Sequence, residues 1–206
     1  MEIATLHRLF GDRAIAGIGH GVQEWMGQVG ARAQSPLTLL REYTTALKAL
    51  LSGEEVTVDG RYVHLDAVKL DWPSDPPPRV LIGAVGPKTL QLSGSLANGT
   101  ILSGGTSPAA VRAAVEHIKP DSSHDVVVFL PVATGPGAAD RLRRVQESFG
   151  SDWPGVSGDA QALADGVQAL AEAGATTVVL QPTNDDPCSP EEFVRFVAQD
   201  VRPLVK

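Results

Sequence analysis

Two glycine-rich turns carry most of the chemistry this sequence can offer. The first is Gly17-Ile18-Gly19-His20-Gly21, which completes the apolar run begun by Ala14-Ile15-Ala16. The second is Ala84-Val85-Gly86-Pro87-Lys88, which follows Val80-Leu81-Ile82-Gly83. Glycine at the carboxyl end of a buried parallel strand lets the backbone come close to a flat ring or a phosphate. An ordinary strand-to-helix turn uses the same residues, and spacing alone does not separate the two. In the second turn Pro87 suits a first helical position, and the free N–H groups of a helix start attract a phosphate. Plain helix capping explains that turn equally well, and Lys88 either adds charge or points to solvent. His20 carries an imidazole, a group that can pass a proton beside a reacting centre. It can also contact a ligand or merely brace its loop. Trp25 and Met26 follow in the next loop, where they suit the wall of an apolar substrate pocket or a core position. Ser103-Gly104-Gly105-Thr106 leaves room for a substrate, though turn chemistry also accounts for it.

Other chemistries lack their signatures. The histidines at 7, 20, 64, 117 and 124 show no paired ligand spacing, and Cys188 is the only cysteine, so a metal centre is not expected. No nucleophile elbow and no phosphate-binding Walker lysine occur. Asp185-Asp186 beside Cys188 reads as a polar loop. With one cysteine no internal disulfide can form, which suits a reducing, cytoplasmic setting. A formal net charge of −7 disfavours nucleic acid and anionic membrane surfaces. No apolar run approaches the ~20 residues that a membrane span needs.

The elements that must position these residues alternate regularly. Leu6, Leu9 and Phe10 at helical spacing predict a helix over 2–10, and residues 14–18 a strand. Ser35-Pro36 opens a helix that Gly53 ends, with Leu37, Leu40, Tyr43, Thr44, Leu47, Leu50 and Leu51 on one face. Alternating β-formers around Asp59-Gly60 predict a hairpin over 56–65. Strands follow at 80–84, 100–102, 126–132 and 176–180, with helices at about 87–96, 108–118, 138–149, 159–173 and 190–198. Five short apolar strands, each followed by a helix, argue for one α/β domain with a parallel sheet. An open doubly wound sheet and part of a (β/α)8 barrel both satisfy the pattern, which by itself slightly favours the open sheet.

Three segments tip that balance. Ala4-Thr5-Leu6-His7-Arg8-Leu9 leads into Ala16-Gly17-Ile18-Gly19-His20-Gly21. Ala49-Leu50-Leu51-Ser52-Gly53-Glu54 leads into Val58-Asp59-Gly60-Arg61-Tyr62. Val80 through Leu90 continues through Leu92-Ser93-Gly94 and Ala97-Asn98-Gly99-Thr100-Ile101-Leu102. Together they resemble the luciferase-like monooxygenases, most of all the branch related to coenzyme F420-dependent methylenetetrahydromethanopterin reductase. The third segment is the most specific, because strand, glycine turn, helix and next strand occur in family order.

The resemblance implies a partial TIM (β/α)8 barrel, strands four to eight with their helices plus a hairpin insertion. It also implies that the first three βα units, ~90 residues, lie outside this chain. It implies an oxidoreductase or monooxygenase using coenzyme F420 or FMN on a small organic substrate. Gly17, Ile18, Gly19, Gly21 and Ala84 to Lys88 would hold the cofactor, the latter turn by main-chain amides on its phosphate. His20 would stand where related sugar-phosphate dehydrogenases place a carboxylate, and Trp25, Met26, Ser103 and Gly104 would line the substrate pocket. A homodimer would cover the open sheet edges. The family also keeps one cofactor wall in its first strands, so inactivity of the isolated chain, or a non-enzymatic remnant, is the alternative.

Overall fold

Apolar runs bounded by glycine become the strands of a parallel sheet, and each is followed by a helix whose start is set by proline or a capping residue. The computed structural model describes residues 1–120, 123–149 and 154–206. They form two compact units, residues 1–101 with 117–124 and residues 102–116 with 125–206.

The first unit opens with α1 (Glu2–Phe10), β1 (Ala16–Ile18), a short α2 (Gln23–Gln28) and α3 (Pro36–Leu51). A two-stranded hairpin follows, β2 (Val56–Asp59) with β3 (His64–Val68), then β4 (Val80–Gly83), α4 (Pro87–Leu96) and β5 (Gly99–Leu102). β4 lies between β1 and β5 and pairs in parallel with both, with Ile18 opposite Ile82 and Ile82 opposite Thr100. Val80 and Ile82 are fully buried. Ala4, Leu51 and Val80 make a core cluster against which Ala16, Ile18, Leu47 and Leu70 pack. Beneath it the Ser93 and Thr100 hydroxyls meet at 2.7 Å, and Thr100 meets His124 Nε2 at 2.9 Å, so this buried polar row is satisfied internally. Lys48 Nζ donates to the Leu96 carbonyl at 2.5 Å, placing an ammonium on the last turn of α4.

Most sequence expectations hold here, with several differences. The strand at 14–18 is shorter, because the 3-10 turn Gly11–Arg13 delays its start. The hairpin turns through four residues, Gly60 to Val63, with Asp59 opposite His64. The cause is Glu42, whose carboxylate accepts the N–H groups of Arg61, Tyr62 and Val63 at 2.9, 2.8 and 3.2 Å. A Cβ at position 60 would lie 2.6 Å from that carboxylate. On α3, Leu40, Thr44, Ala46 and Leu51 are buried, whereas Tyr43 is half exposed. Finally, Leu6, Leu9 and Phe10 of α1 are exposed, and its buried side chains are Ala4 and His7.

The second unit holds α5 (Pro108–Ile118), β6 (Asp125–Ala133), α6 (Ala138–Phe149), β7 (Val156–Ser157), α7 (Ala160–Glu172), β8 (Thr177–Pro182) and α8 (Pro190–Phe196). β6 is the central strand. β8 runs parallel along it from Val127 to Val132, and β7 pairs with Val132 and Ala133. Val126, Val128 and Val132 of β6 are fully buried, as are Leu163 and Leu170 of α7. β7 is too short to leave an apolar run in the sequence. The final helix ends at Phe196, and a π turn (Val197–Val201) and a 3-10 turn (Arg202–Leu204) carry the chain onward. Among the described residues no helix is long and apolar enough to cross a membrane.

Candidate functional site

Because β1 and β4 are parallel neighbours, the turns that leave them emerge at the same end of the sheet. They also touch. A Cβ at Gly19 would lie 3.7 Å from the Gly83 carbonyl oxygen, and one at Gly83 would lie 3.6 Å from the Ile18 carbonyl oxygen. Gly19 and the strand end at Gly83 therefore lie close together with little side-chain cover, whereas Gly17 is covered by the Ile101 side chain, 2.9 Å from where its Cβ would stand, and Ala84 is buried.

The second turn adds donors. Gly86 is the residue before α4, with Pro87 at the first helical position and no side chain capping the start. The N–H groups of Thr89 and Leu90 both turn back to the Gly86 carbonyl, and that of Ala84 reaches the Ile101 carbonyl. Among the described residues the amides of Val85, Gly86 and Lys88 meet no protein acceptor. Nothing stands within 4 Å of a Cβ built at Gly86. Free amides at a helix start are an anion site, and Val85, largely exposed, does not cover them.

His20 is half-buried and its Nδ1 lies 2.9 Å from the Gly21 carbonyl. A carbonyl can only accept, so Nδ1 carries the proton and Nε2 of the neutral ring keeps its lone pair. The ring can thus take a proton at Nε2 without rearranging. Gly21 has φ +68° and lies under Met26, whose Sδ is 2.9 Å from where a Cβ would stand. Met26 is in this way brought against the first turn. Trp25, which the sequence placed in a loop, lies on α2 and is 58% exposed. The expectation failed there because α2 has too few residues to show a helical period.

Ser103 and Gly104 belong to the second unit, where they line a cavity of about 430 Å³ with Pro131, Val145, Phe149 and Gln181. Sequence reading missed Arg141 of that unit. Arg141 is buried and donates to the Pro136 carbonyl at 2.5 Å and to the Thr134 carbonyl. Its guanidinium also lies 3.6 Å from Asp186, whose side chain is only 4% exposed. Arg144, one turn further, meets Asp185 at 2.6 Å, and that bond above all holds the Asp185 carboxyl below its ordinary range. Asp185-Asp186 is therefore a tied ion-pair segment and not simply a solvated loop. The nearby Thr183 hydroxyl leans on Asp185 without closing a hydrogen bond. Desolvation, then the Asp186 and Glu192 carboxylates, pushes the Cys188 thiol up, so it is a poor nucleophile.

A glycine-paved strand end beside an uncapped helix start is a cradle for a planar ring with a phosphorylated tail. The family of the chain agrees with that geometry. Residues 1–181 match the luciferase-like monooxygenase family model, and the chain belongs to that family. It is 32% identical over 117 residues to a 5,10-methylenetetrahydromethanopterin reductase of Methanolobus tindarius, covering 57% of this chain and 35% of that protein. It is 32% identical over 110 residues to an F420-dependent glucose-6-phosphate dehydrogenase of Nakamurella multipartita, covering 52% of this chain and 32% of that protein. The match thus spans about a third of the length of these curated relatives. Among solved structures, the coenzyme F420 dependent tetrahydromethanopterin reductase from Methanopyrus kandleri superposes with a TM-score of 0.78 at 21% identity, covering 99% of this chain and 78% of that one. That likeness is one of fold, and the fold is the partial (β/α)8 barrel expected from the sequence.

Proposed function

We propose that this chain is the cofactor-cradling, C-terminal part of a deazaflavin- or flavin-dependent oxidoreductase, with coenzyme F420 preferred over FMN. The observation that carries the reading is the close approach of Gly19 and Gly83 beside the bare start of α4. Two curated relatives whose names specify methylenetetrahydromethanopterin reduction and F420 dependence favour the deazaflavin. Bound there, the cofactor would supply hydride transfer or, as a reduced flavin, oxygen activation.

The chain's own residues supply binding and proton handling. Gly17, Ile18, Gly19, Gly21 and Ala84 would lie against the ring. The amides of Val85, Gly86 and Lys88 would take the phosphate, Pro87 fixing the turn and the Lys88 ammonium adding charge. His20 would accept or return a proton at Nε2. Trp25 and Met26 would wall the small-molecule substrate. We assign Ser103 and Gly104 the separate role of admitting substrate groups to the cavity they line in the second unit.

The first three βα units of the barrel would complete the cofactor wall, and activity would require them. The exposed Leu6, Leu9 and Phe10 of α1 support a homodimer, and the single cysteine supports a reducing cytoplasm. Titration of the purified chain with F420 and with FMN, followed by cofactor fluorescence, tests the reading. Saturable binding, tighter for F420, is expected. Binding of neither cofactor, to this chain or to one extended by the missing units, would overturn it.

A further inference from the structure

We infer that residues 22–29 form a hinged lid over the glycine cradle, closing Trp25 onto whatever the cradle holds. This rests on the cofactor reading above and adds to it a moving part that the reading does not require.

Three observations carry it. First, α2 is a helix without a buried residue. Trp25 is 58% exposed, Val22 and Val29 at the two ends of α2 are 49 and 70% exposed, and Met26 alone of its apolar side chains is half-buried. A segment that buries so little gains almost nothing from staying where it is. Second, the segment lies between two glycines in left-handed conformation, Gly21 at φ +68° and Gly30 at φ +71°. Nothing stands within 4 Å of a Cβ at Gly30, so that glycine is not required by crowding. Its left-handed φ, with the Ala31 N–H closing on the Met26 carbonyl, is the glycine turn that ends α2, and it is the point about which the segment would pivot.

Third, both ends beyond the hinges are fastened while the lid itself is held by few ties. At the near end β1 is paired with β4, and the Gln23 amide reaches from the lid back across Gly21 to the His20 carbonyl at 3.0 Å. At the far end the Ser35 N–H meets the Tyr62 hydroxyl at 2.7 Å, and Arg61 meets the Gln34 side chain at 2.6 Å. Glu42 in turn fixes the backbone of that hairpin turn. Across the lid itself runs one long side-chain tie, Arg32 Nε to the Gln23 carbonyl at 2.9 Å. The backbone bond from Ala31 to the Met26 carbonyl, 2.7 Å, shapes the turn at Gly30. The fixed ends give the lid its axis, and Met26, resting on Gly21, is the point at which its motion reaches the cradle.

Hydrogen–deuterium exchange on the whole chain tests this, read for residues 22–29 against Pro36–Leu51, with and without F420 or FMN. In the free protein the lid amides should exchange as one block at least ten-fold faster than those of α3. Arg32→Ala should quicken that block further, and Gly30→Ala should change its rate without altering exchange in α3. A bound cofactor should slow the block several-fold, and Trp25→Ala should abolish that protection while the cofactor still binds. Exchange of 22–29 as slow as α3 in the free protein would overturn the lid, whether or not a cofactor binds. So would a cofactor that binds and leaves the block unprotected. Failure to bind either cofactor strikes at the cradle alone, because the free-protein comparison still decides the hinge.

Discussion

The two units finish their strands in opposite ways. In the first, the turns after β1 and β4 are glycine-lined and the start of α4 carries no cap. In the second, among the described residues, the turn after β6 and the starts of α7 and α8 are tied by the protein's own side chains. Arg141 fills the carbonyls of the turn after β6. Asp159 caps α7 through the Ala162 N–H at 3.0 Å. Ser189 and Glu192 form a reciprocal capping box on α8. Folding alone favours closed turns, since each unmet donor or acceptor forgoes about 1 kcal/mol. Open amides at the start of α4, set against the side-chain-capped starts of α7 and α8, mark the first as the place where an outside group is awaited.

The comparison can be broken most violently at Arg141. Arg141→Met removes two carbonyl bonds and leaves Asp186 buried without its cation, which should cost about 3–5 kcal/mol. A urea melt showing less than ~1 kcal/mol of loss would mean that the second unit's turns do not depend on being filled. Next is Gly19→Ala. Its methyl finds only ordinary contact at 3.7 Å from Gly83, so stability should stay within about 0.5 kcal/mol of wild type. Ring approach is obstructed, and F420 affinity should fall at least about ten-fold, or ~1.4 kcal/mol. Equal losses in folding and binding would show Gly19 to be a packing glycine.

Smaller changes sharpen the contrast. Ser189→Ala should destabilise the protein by about 1 kcal/mol while cofactor titrations are unmoved. Gly86→Asp transplants the second unit's habit into the first. The backbone at 86, φ −80° and ψ 152°, already suits a capping residue. Stability should rise by a few tenths of a kcal/mol while binding weakens, because the new carboxylate takes the amides and repels a phosphate. A variant both more stable and tighter binding would contradict the phosphate role.

The smallest effect concerns Glu42, whose carboxyl is held below its ordinary value first by the Arg61 N–H, then by that of Tyr62. A carboxyl depressed in the folded state stabilises above its unfolded pKa, about 4.3. That contribution disappears as pH falls through the lower folded value. Glu42→Gln should therefore melt earlier than wild type at pH 7, and the gap should shrink below about pH 4. A gap independent of pH would assign the anchoring to shape rather than charge.

Much of this was legible in the residues. Apolar runs ending in glycine located β1, β4 and β5, and Gly86-Pro87 located the start of α4 to the residue. Parallel pairing then required both glycine turns to share one end of the sheet. What stayed hidden was set by contacts distant along the chain or by elements too short to have a period. Glu42 reshapes a turn 19 residues away, and no local rule reveals that a four-residue bend would replace the Asp59-Gly60 turn. Arg141 looks like any charged residue of an amphipathic helix until β8 brings Asp186 beside it. α2 and β7 are shorter than the windows in which periodicity can be counted.

Lys48 gives the bare mouth of α4 a further meaning. Its ammonium sits on the carbonyl of Leu96 at the tail of that helix, where a cation offsets the negative pole of the peptide dipoles. The helix is thus moored from behind by a neighbour, and its forward pole need not be quenched for it to persist. An anchor at the stern leaves the bow free to greet a guest, and a guest that departs does not take the helix with it.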